Sequence, residues 1–313
     1  MATALRNINS NKICKALRDE SAVSFVKKCL NKNYTRHFPE KKEEVIKLIE
    51  FVLSVLVNSQ SAGISKKKLE KAVEKAREKF FANKNKNAWF REYYSRYKSD
   101  IKPKKELERI RPFIKGKQIL DFGSGKSYLF SSLDIDEFQV VCTDVEDFRD
   151  FDLTSTCFLK MSSPTKIPLI DDSIDTAVII TVLHHINKED IHPIAVELAR
   201  VAKRLIVIED IDDFDELVFE TDKKINFDDL TKTFLQLSKK SRNYANIITD
   251  FFGNVIVQGY TDLNLPFMFH STPSWIKIFE NADFKKHKVK ILGFSDSHLH
   301  DFFKVLIVLE REV

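Results

Sequence analysis

Three groups of residues in this chain have the types and spacing that chemistry needs. A histidine pair, His184-His185, follows the apolar run DTAVIITVL. Two acids, Glu209 and Asp210, end another such run, RLIVIED. A polar stretch, SDSHLHDFF, carries His298, His300 and Asp301. Imidazole titrates near neutrality, so His184, His185, His298 and His300 are candidates for proton transfer or substrate contact. Structural packing competes for the first pair, and a solvated hairpin tip for the second. Asp210, with His270 and Trp275 of NLPFMFHSTPSW, is a candidate for a substrate pocket, against core packing or a turn acid. Two loop histidines are too few for a metal centre and no C-x-x-C is present, so no metal is expected.

A fourth group is the stretch ILDFGSGKSYL. The chain has only 7 glycines, yet Gly123 and Gly125 stand two positions apart just after an apolar run that ends in Asp121. Such a turn needs unusual backbone angles, or backbone bare enough for a ligand to approach. A helix is expected to start near Ser127, with its N–H groups facing the crevice. A second β-rich run, FQVVCTDV, ends at Asp144. An acid there can accept both hydroxyls of a ribose.

These residues need a sheet to hold them. From about Lys117, short β-rich runs (KQILDF, FQVVCTDV, TCFLKM, DTAVIITVL, RLIVIED, HKVKILGF, FKVLIVLERE) alternate with helical stretches such as HPIAVELARVAK and PSWIKIFENA. Alternation of this kind predicts a mostly parallel sheet with helices on both faces. The last two runs have no helix between them, so they pair as a hairpin and the final strand is antiparallel.

At this point the chain resembles the class I S-adenosylmethionine-dependent methyltransferases. LDFGSGKS resembles their first motif, D-x-G-x-G-x-G, and VVCTDV their second-strand acid. KIPLIDDSIDTAVIITVLHHI, ELARVAKRLIVIED and WIKIFENADF are similar to the later blocks, in the same order. The resemblance covers about Gly116 to Val313. It implies a Rossmann-like α/β fold with a seven-stranded, mostly parallel sheet and an antiparallel last strand. It also implies S-adenosyl-L-methionine as cofactor, with Asp121 drawing its amino group and Gly123, Ser124 and Gly125 admitting its amino-acid tail. Asp144 and Val145 would hold the ribose, Ser162 and Ser163 would stand near the adenine, and Thr181 and Val182 would lie near the sulfonium. Ser127 replaces the third glycine, Asp283 stands where the last block has glycine, and the Pro-Gly-Gly turn before the fifth strand is missing.

Ahead of this region the texture is helical and basic. EEVIKLIEFVLSVLV carries an apolar stripe, and SKKKLEKAVEKAREKFF opens on Ser65 as an N-cap. NAWFREYYSRYKSDI places Trp89, Phe90, Tyr93, Tyr94 and Tyr97 at helical spacing. Residues 1–110 hold 27 Lys and Arg against 13 Asp and Glu, whereas the rest is acidic. The expected organisation is a basic helical region, 1–110, that lids, dimerises or docks, followed by a cofactor-binding domain, 111–313, with a cap insertion at about 211–266. No run is long and apolar enough for a membrane span, no signal peptide is evident, and the four cysteines fit a reducing cytoplasm. Three functions compete. The favoured one is in-line methyl transfer to a small-molecule acceptor (O, N or C). The second is methylation of RNA or protein docked by the basic region, so that nucleic acid is a possible partner. The third is a non-catalytic partner protein that keeps the fold. A homodimer is compatible with all three.

Overall fold

The periodic apolar residues of the basic region become helices. The computed structural model describes residues 5–81, 88–131, 138–149, 157–213, 227–294, 299–300 and 302–311. Six helices come first: α1 (Ser10–Ala16), α2 (Glu20–His37), α3 (Lys42–Asn58), α4 (Lys66–Phe81), α5 (Ala88–Arg96) and α6 (Lys102–Ile110). Asn9 and Asp19 cap α1 and α2 by accepting the Lys12 and Ala22 N–H groups, and Ser65 Oγ accepts the Lys68 N–H at 3.3 Å as its sequence position predicts. Val45, Ile49, Val52, Leu53 and Leu56 form the buried stripe of α3. A single π-helical turn, Tyr97–Ile101, joins α5 to α6. Such turns re-aim side chains within a helix and are common at functional sites.

The sheet contains β1 (Gln118–Phe122), β2 (Gln139–Asp144), β3 (Cys157–Lys160), β4 (Ile174–Ile180), β5 (Ala202–Asp210), β6 (Phe284–Phe294) and β7 (Phe303–Arg311). Its order is β3-β2-β1-β4-β5-β7-β6. β1 to β5 pair in parallel, and β7 lies antiparallel between β5 and β6, as expected for a closing hairpin. Side chains alternate across the strands. Leu120, Phe122, Ala177, Ile179, Leu205, Val207, Val305 and Ile307 join the larger core on one face. Ile119, Val178, Ile206, Ile208, Leu306 and Val308 meet Leu107 and Ile110 of α6 on the other.

α7 (Lys188–Val201) crosses from β4 to β5, and α10 (Thr272–Glu280) precedes β6. The stretch expected to form a cap is helical: α8 (Asp229–Gln236), α9 (Lys239–Phe251) and a π-helical turn, Phe252–Val257. α1 and α2 pack on α9, and α4 packs on the turn that follows it. The larger core therefore runs without a break from the N-terminal helices through the cap to the sheet. Among the described residues, no helix is long and apolar enough to cross a membrane. None of the four cysteines, all within the described residues, forms a disulfide.

One local expectation is overturned. No helix starts at Ser127. Its φ is +58°, in the left-handed region, and Leu129–Ser131 form turns. A left-handed residue breaks the run of right-handed angles that a helix needs.

Candidate functional site

The two glycines do what their scarcity predicts. Gly123 and Gly125 have φ of +69° and +53°. A Cβ on Gly123 would come within 2.7 Å of Val182 Cγ1, so the turn lies hard against the end of β4. The N–H groups of Gly123 and Ser124 donate to the Thr143 carbonyl at 2.8 and 3.0 Å, tying the turn to β2. The Gly125 N–H donates to Asp144 Oδ2 at 2.9 Å, and Asp144 Oδ1 accepts the Val145 N–H at 2.7 Å. Asp144 thus closes the glycine turn while staying half-buried at the crevice.

Asp121 is buried at the end of β1, and its Oδ2 has no hydrogen-bond partner. Burial, reinforced by Asp144, pushes its pKa up to about 7. Between the ordinary carboxyl value of about 4 and that value, the folded protein holds more protons than the unfolded chain, so stability falls as pH rises through the window. A buried, unpartnered carboxyl at a glycine turn is suited to a ligand cation.

The elements around the crevice place the remaining candidates. Thr181 has φ +54°, and its N–H donates to the Ile208 carbonyl at 2.8 Å. That strained residue turns the chain sharply at the end of β4. Val145 and Ser162 are exposed, and Ser163 Oγ lies 2.8 Å from Thr165 Oγ1 in a tight turn after β3. Lys98 of the π-helical turn lies within electrostatic range of Lys126 of the glycine loop. Burial, then Lys102 and Lys126, hold the Lys98 pKa down to about 7. Lys102, at the start of α6, feels Glu106, Lys304 and Asp210. The α5–α6 segment therefore comes within electrostatic range of the glycine loop after β1 and of Asp210 at the end of β5.

A buried ionic cluster stands beside the crevice. Glu209 Oε1 accepts the Val182 and Leu183 N–H groups at 2.8 and 2.6 Å, and Glu209 Oε2 accepts from His184 Nδ1 at 2.7 Å. His185 Nε2 lies 3.3 Å from Asp250 Oδ1, and Asn254 Nδ2 donates to the same oxygen at 2.7 Å. Asp210 Oδ1 is 2.7 Å from Lys304 Nζ, its direct partner across the β5–β7 pairing. Burial pulls the His184 pKa down, but Glu209 and Asp250 outweigh it and hold the imidazole well above its ordinary value. His184 is thus enclosed by acids and stacked on Phe269 at 5.0 Å, and Asp210 is committed to a lysine.

The other candidates fall elsewhere. Trp275 is fully buried, with the His270 ring edge-on at 4.7 Å, so this pair packs the base of α10. His300 is not at a solvated tip. Its Nε2 lies 2.5 Å from Tyr34 Oη, and its ring meets Tyr94 and Phe252. The aromatic stripe of α5 explains this: Phe90 and Tyr97 are buried, and Tyr97 Oη accepts the Leu299 N–H at 3.3 Å. His298 and Asp301 lie outside the described residues. Asp250 and Lys304 escaped the sequence reading. Their signal was a single charge inside an apolar run, in IITDFF and in FFKVLIV. The shallow groove at the opposite ends of the strands is spanned by ion pairs, Lys115 and Arg204 with Glu310 and Lys203 with Asp175, and contains none of these residues.

The strand order, the antiparallel seventh strand and the glycine turn after β1 give the chain the fold of class I S-adenosylmethionine-dependent methyltransferases. No family model and no curated protein matches the sequence. Several solved structures are similar to it. An S-adenosylmethionine-dependent methyltransferase of Thermotoga maritima, described as a possible histamine N-methyltransferase, is 15% identical with a TM-score of 0.44, over 72% of this chain and 96% of that one. A putative methyltransferase in complex with the Haloferax volcanii Trm112 activator is 13% identical with a TM-score of 0.46, again over 72% and 96%. Geranyl diphosphate C-methyltransferase of Streptomyces coelicolor is 11% identical with a TM-score of 0.44, over 67% and 79%.

Proposed function

We propose that this protein is an S-adenosyl-L-methionine-dependent methyltransferase acting on a small organic acceptor. The observation that carries the reading is the pair of lids. The α5–α6 segment comes within electrostatic range of the glycine loop and of Asp210 at the end of β5, and α9 of the cap reaches the end of β4 through Asp250. Covered from two sides, the crevice suits an enclosed ligand better than a long polymer. The cofactor would lie across the ends of β1, β2 and β4. Asp121 meets its ammonium, Gly123, Ser124 and Gly125 its amino-acid tail, and Asp144 and Val145 its ribose. Ser162 and Ser163 stand near the adenine, and Thr181 and Val182 near the sulfonium.

When bound, the cofactor supplies a methyl group on a good leaving group. Held by Asp121, Gly123, Ser124, Gly125 and Asp144, that methyl group would be open to in-line transfer to a lone pair on the acceptor, with sulfur as the leaving group. The chain's own task is alignment at near-attack distance and exclusion of water.

Calorimetry with S-adenosylhomocysteine tests the cofactor half of this reading. Its ammonium favours the ionised form of Asp121, so binding near pH 6.5 expels a proton. The observed enthalpy should then vary with the ionisation enthalpy of the buffer, and affinity should rise by about tenfold from pH 6 to 7.5 before levelling off. Absence of binding heat in every buffer would refute the cofactor assignment. Buffer-independent heat would remove Asp121 from the ammonium.

The acceptor half has a separate test. If the N-terminal helices are a cover, RNA and DNA should not bind at about 150 mM salt, where non-specific contacts are already weak. A specific, salt-sensitive RNA complex in gel-shift titration would move the reading to a macromolecular acceptor.

A further inference from the structure

We propose that His184, His185 and Asp250 form a binding site for one divalent transition-metal cation. The donor set fits Zn2+, Co2+, Fe2+ or Mn2+. The sequence expectation was that no metal is bound, because two loop histidines are too few and no C-x-x-C is present; the carboxylate of this site comes 65 positions after His185. The fold brings the three together, with donor atoms all within 4.8 Å of one another.

The geometry begins with Glu209. Its carboxylate is fixed by the N–H groups of Val182 and Leu183 and accepts from His184 Nδ1 at 2.7 Å. That hydrogen bond orients the ring and turns Nε2 towards Asp250 and Asp210. His184 Nε2 lies 3.7 Å from Asp250 Oδ1 and 4.0 Å from Asp210 Oδ2. Both separations are too long for hydrogen bonds. His185 Nε2 stands 3.3 Å from the same Asp250 oxygen. Ligands bound at about 2.1 Å to one ion sit roughly 3.0–3.5 Å apart, so these donors need only a small contraction around a cation. A carboxylate behind a ligating histidine is the usual means of orienting such a ring, and Glu209 occupies that place.

Two further observations point to a cation. Asp250 is buried, and its Oδ2 has no hydrogen-bond partner. An orphaned buried carboxylate oxygen is costly unless something positive meets it. Three buried carboxylates, Glu209, Asp210 and Asp250, also surround His184, and a dication bound there would offset their charge. Two nitrogen donors and one oxygen donor favour a transition metal over Mg2+ or Ca2+, which take oxygen ligands.

The site is tested by metal binding, with no acceptor or methyl donor present. Chelator-treated full-length protein is titrated with Co2+, followed by visible absorption, and with Zn2+ by calorimetry. One saturable site is expected, and Zn2+ should raise the melting temperature. His185→Ala, a change at a half-buried position, should keep the fold by circular dichroism and lose at least about a hundredfold in Co2+ affinity. Asp250→Asn should show a similar loss. No saturable Co2+ binding by the wild type up to about 100 µM would overturn the proposal. So would an unchanged affinity in folded His185→Ala, which would mean that the metal binds elsewhere.

Discussion

Lys304→Met lowers the melting temperature by about 6–15 °C, the expected result of losing roughly 3–5 kcal/mol of stability. The lysine and Asp210 are both buried and paired at 2.7 Å across the β5–β7 ladder. Removing the cation leaves Asp210 as a buried anion beside Glu209, with no water to solvate it. The double variant Lys304→Met/Asp210→Leu removes both charges and should recover most of the loss, because a buried pair replaced by apolar groups is often neutral. A thermal melt of the three proteins checks this. If the single variant melts with the wild type, water reaches Asp210 and the cluster is not sealed.

Asp144→Ala should weaken S-adenosylhomocysteine binding by at least about tenfold, since two hydrogen bonds to a charged acceptor contribute roughly 1.5–3 kcal/mol each. The structure adds a second loss. The same carboxylate accepts the Gly125 and Val145 N–H groups at 2.9 and 2.7 Å, so the alanine variant also frees the glycine turn. Asp144→Asn separates the two effects. Its amide oxygen can still accept one turn N–H, but it carries no charge for the ribose hydroxyls. The expected order of affinity is wild type, then asparagine, then alanine. Equal affinities in calorimetry would take Asp144 out of the ribose site.

Much of this was legible in the sequence because it follows from periodicity and backbone chemistry. Apolar alternation located the strands, a hairpin without a helix made β7 antiparallel, and two glycines marked the turn at positive φ. The missing helix at Ser127 depended on a left-handed angle that serine adopts rarely and that no local pattern signals. The ionic cluster was only half visible. His184, His185, Glu209 and Asp210 stand at strand ends, where ligands are expected. Asp250 and Lys304 come from α9 and β7, and only tertiary packing joins them to that group. Neither reading of His300, a solvated hairpin tip or a proton-transfer histidine, included its contact with Tyr34, which lies 266 positions away.

That separation also has a consequence for synthesis on the ribosome. Lys12 Nζ donates to the carbonyls of Pro266 and Phe267 at 2.8 and 3.0 Å, α2 packs on α9, and Tyr34 meets His300. α1 and α2 therefore find their docking partners only after the more than 200 residues that separate them from α9 have been translated. β7, made after both of its neighbours, fills the slot between β5 and β6. Until then the apolar faces of α1 and α2, with Ile13, Phe25 and Leu30, lack the cap that covers them. Such long-range closure slows folding and exposes intermediates to aggregation. Nascent chains of this protein should therefore depend on chaperones that hold apolar helices until the C-terminal hairpin is released.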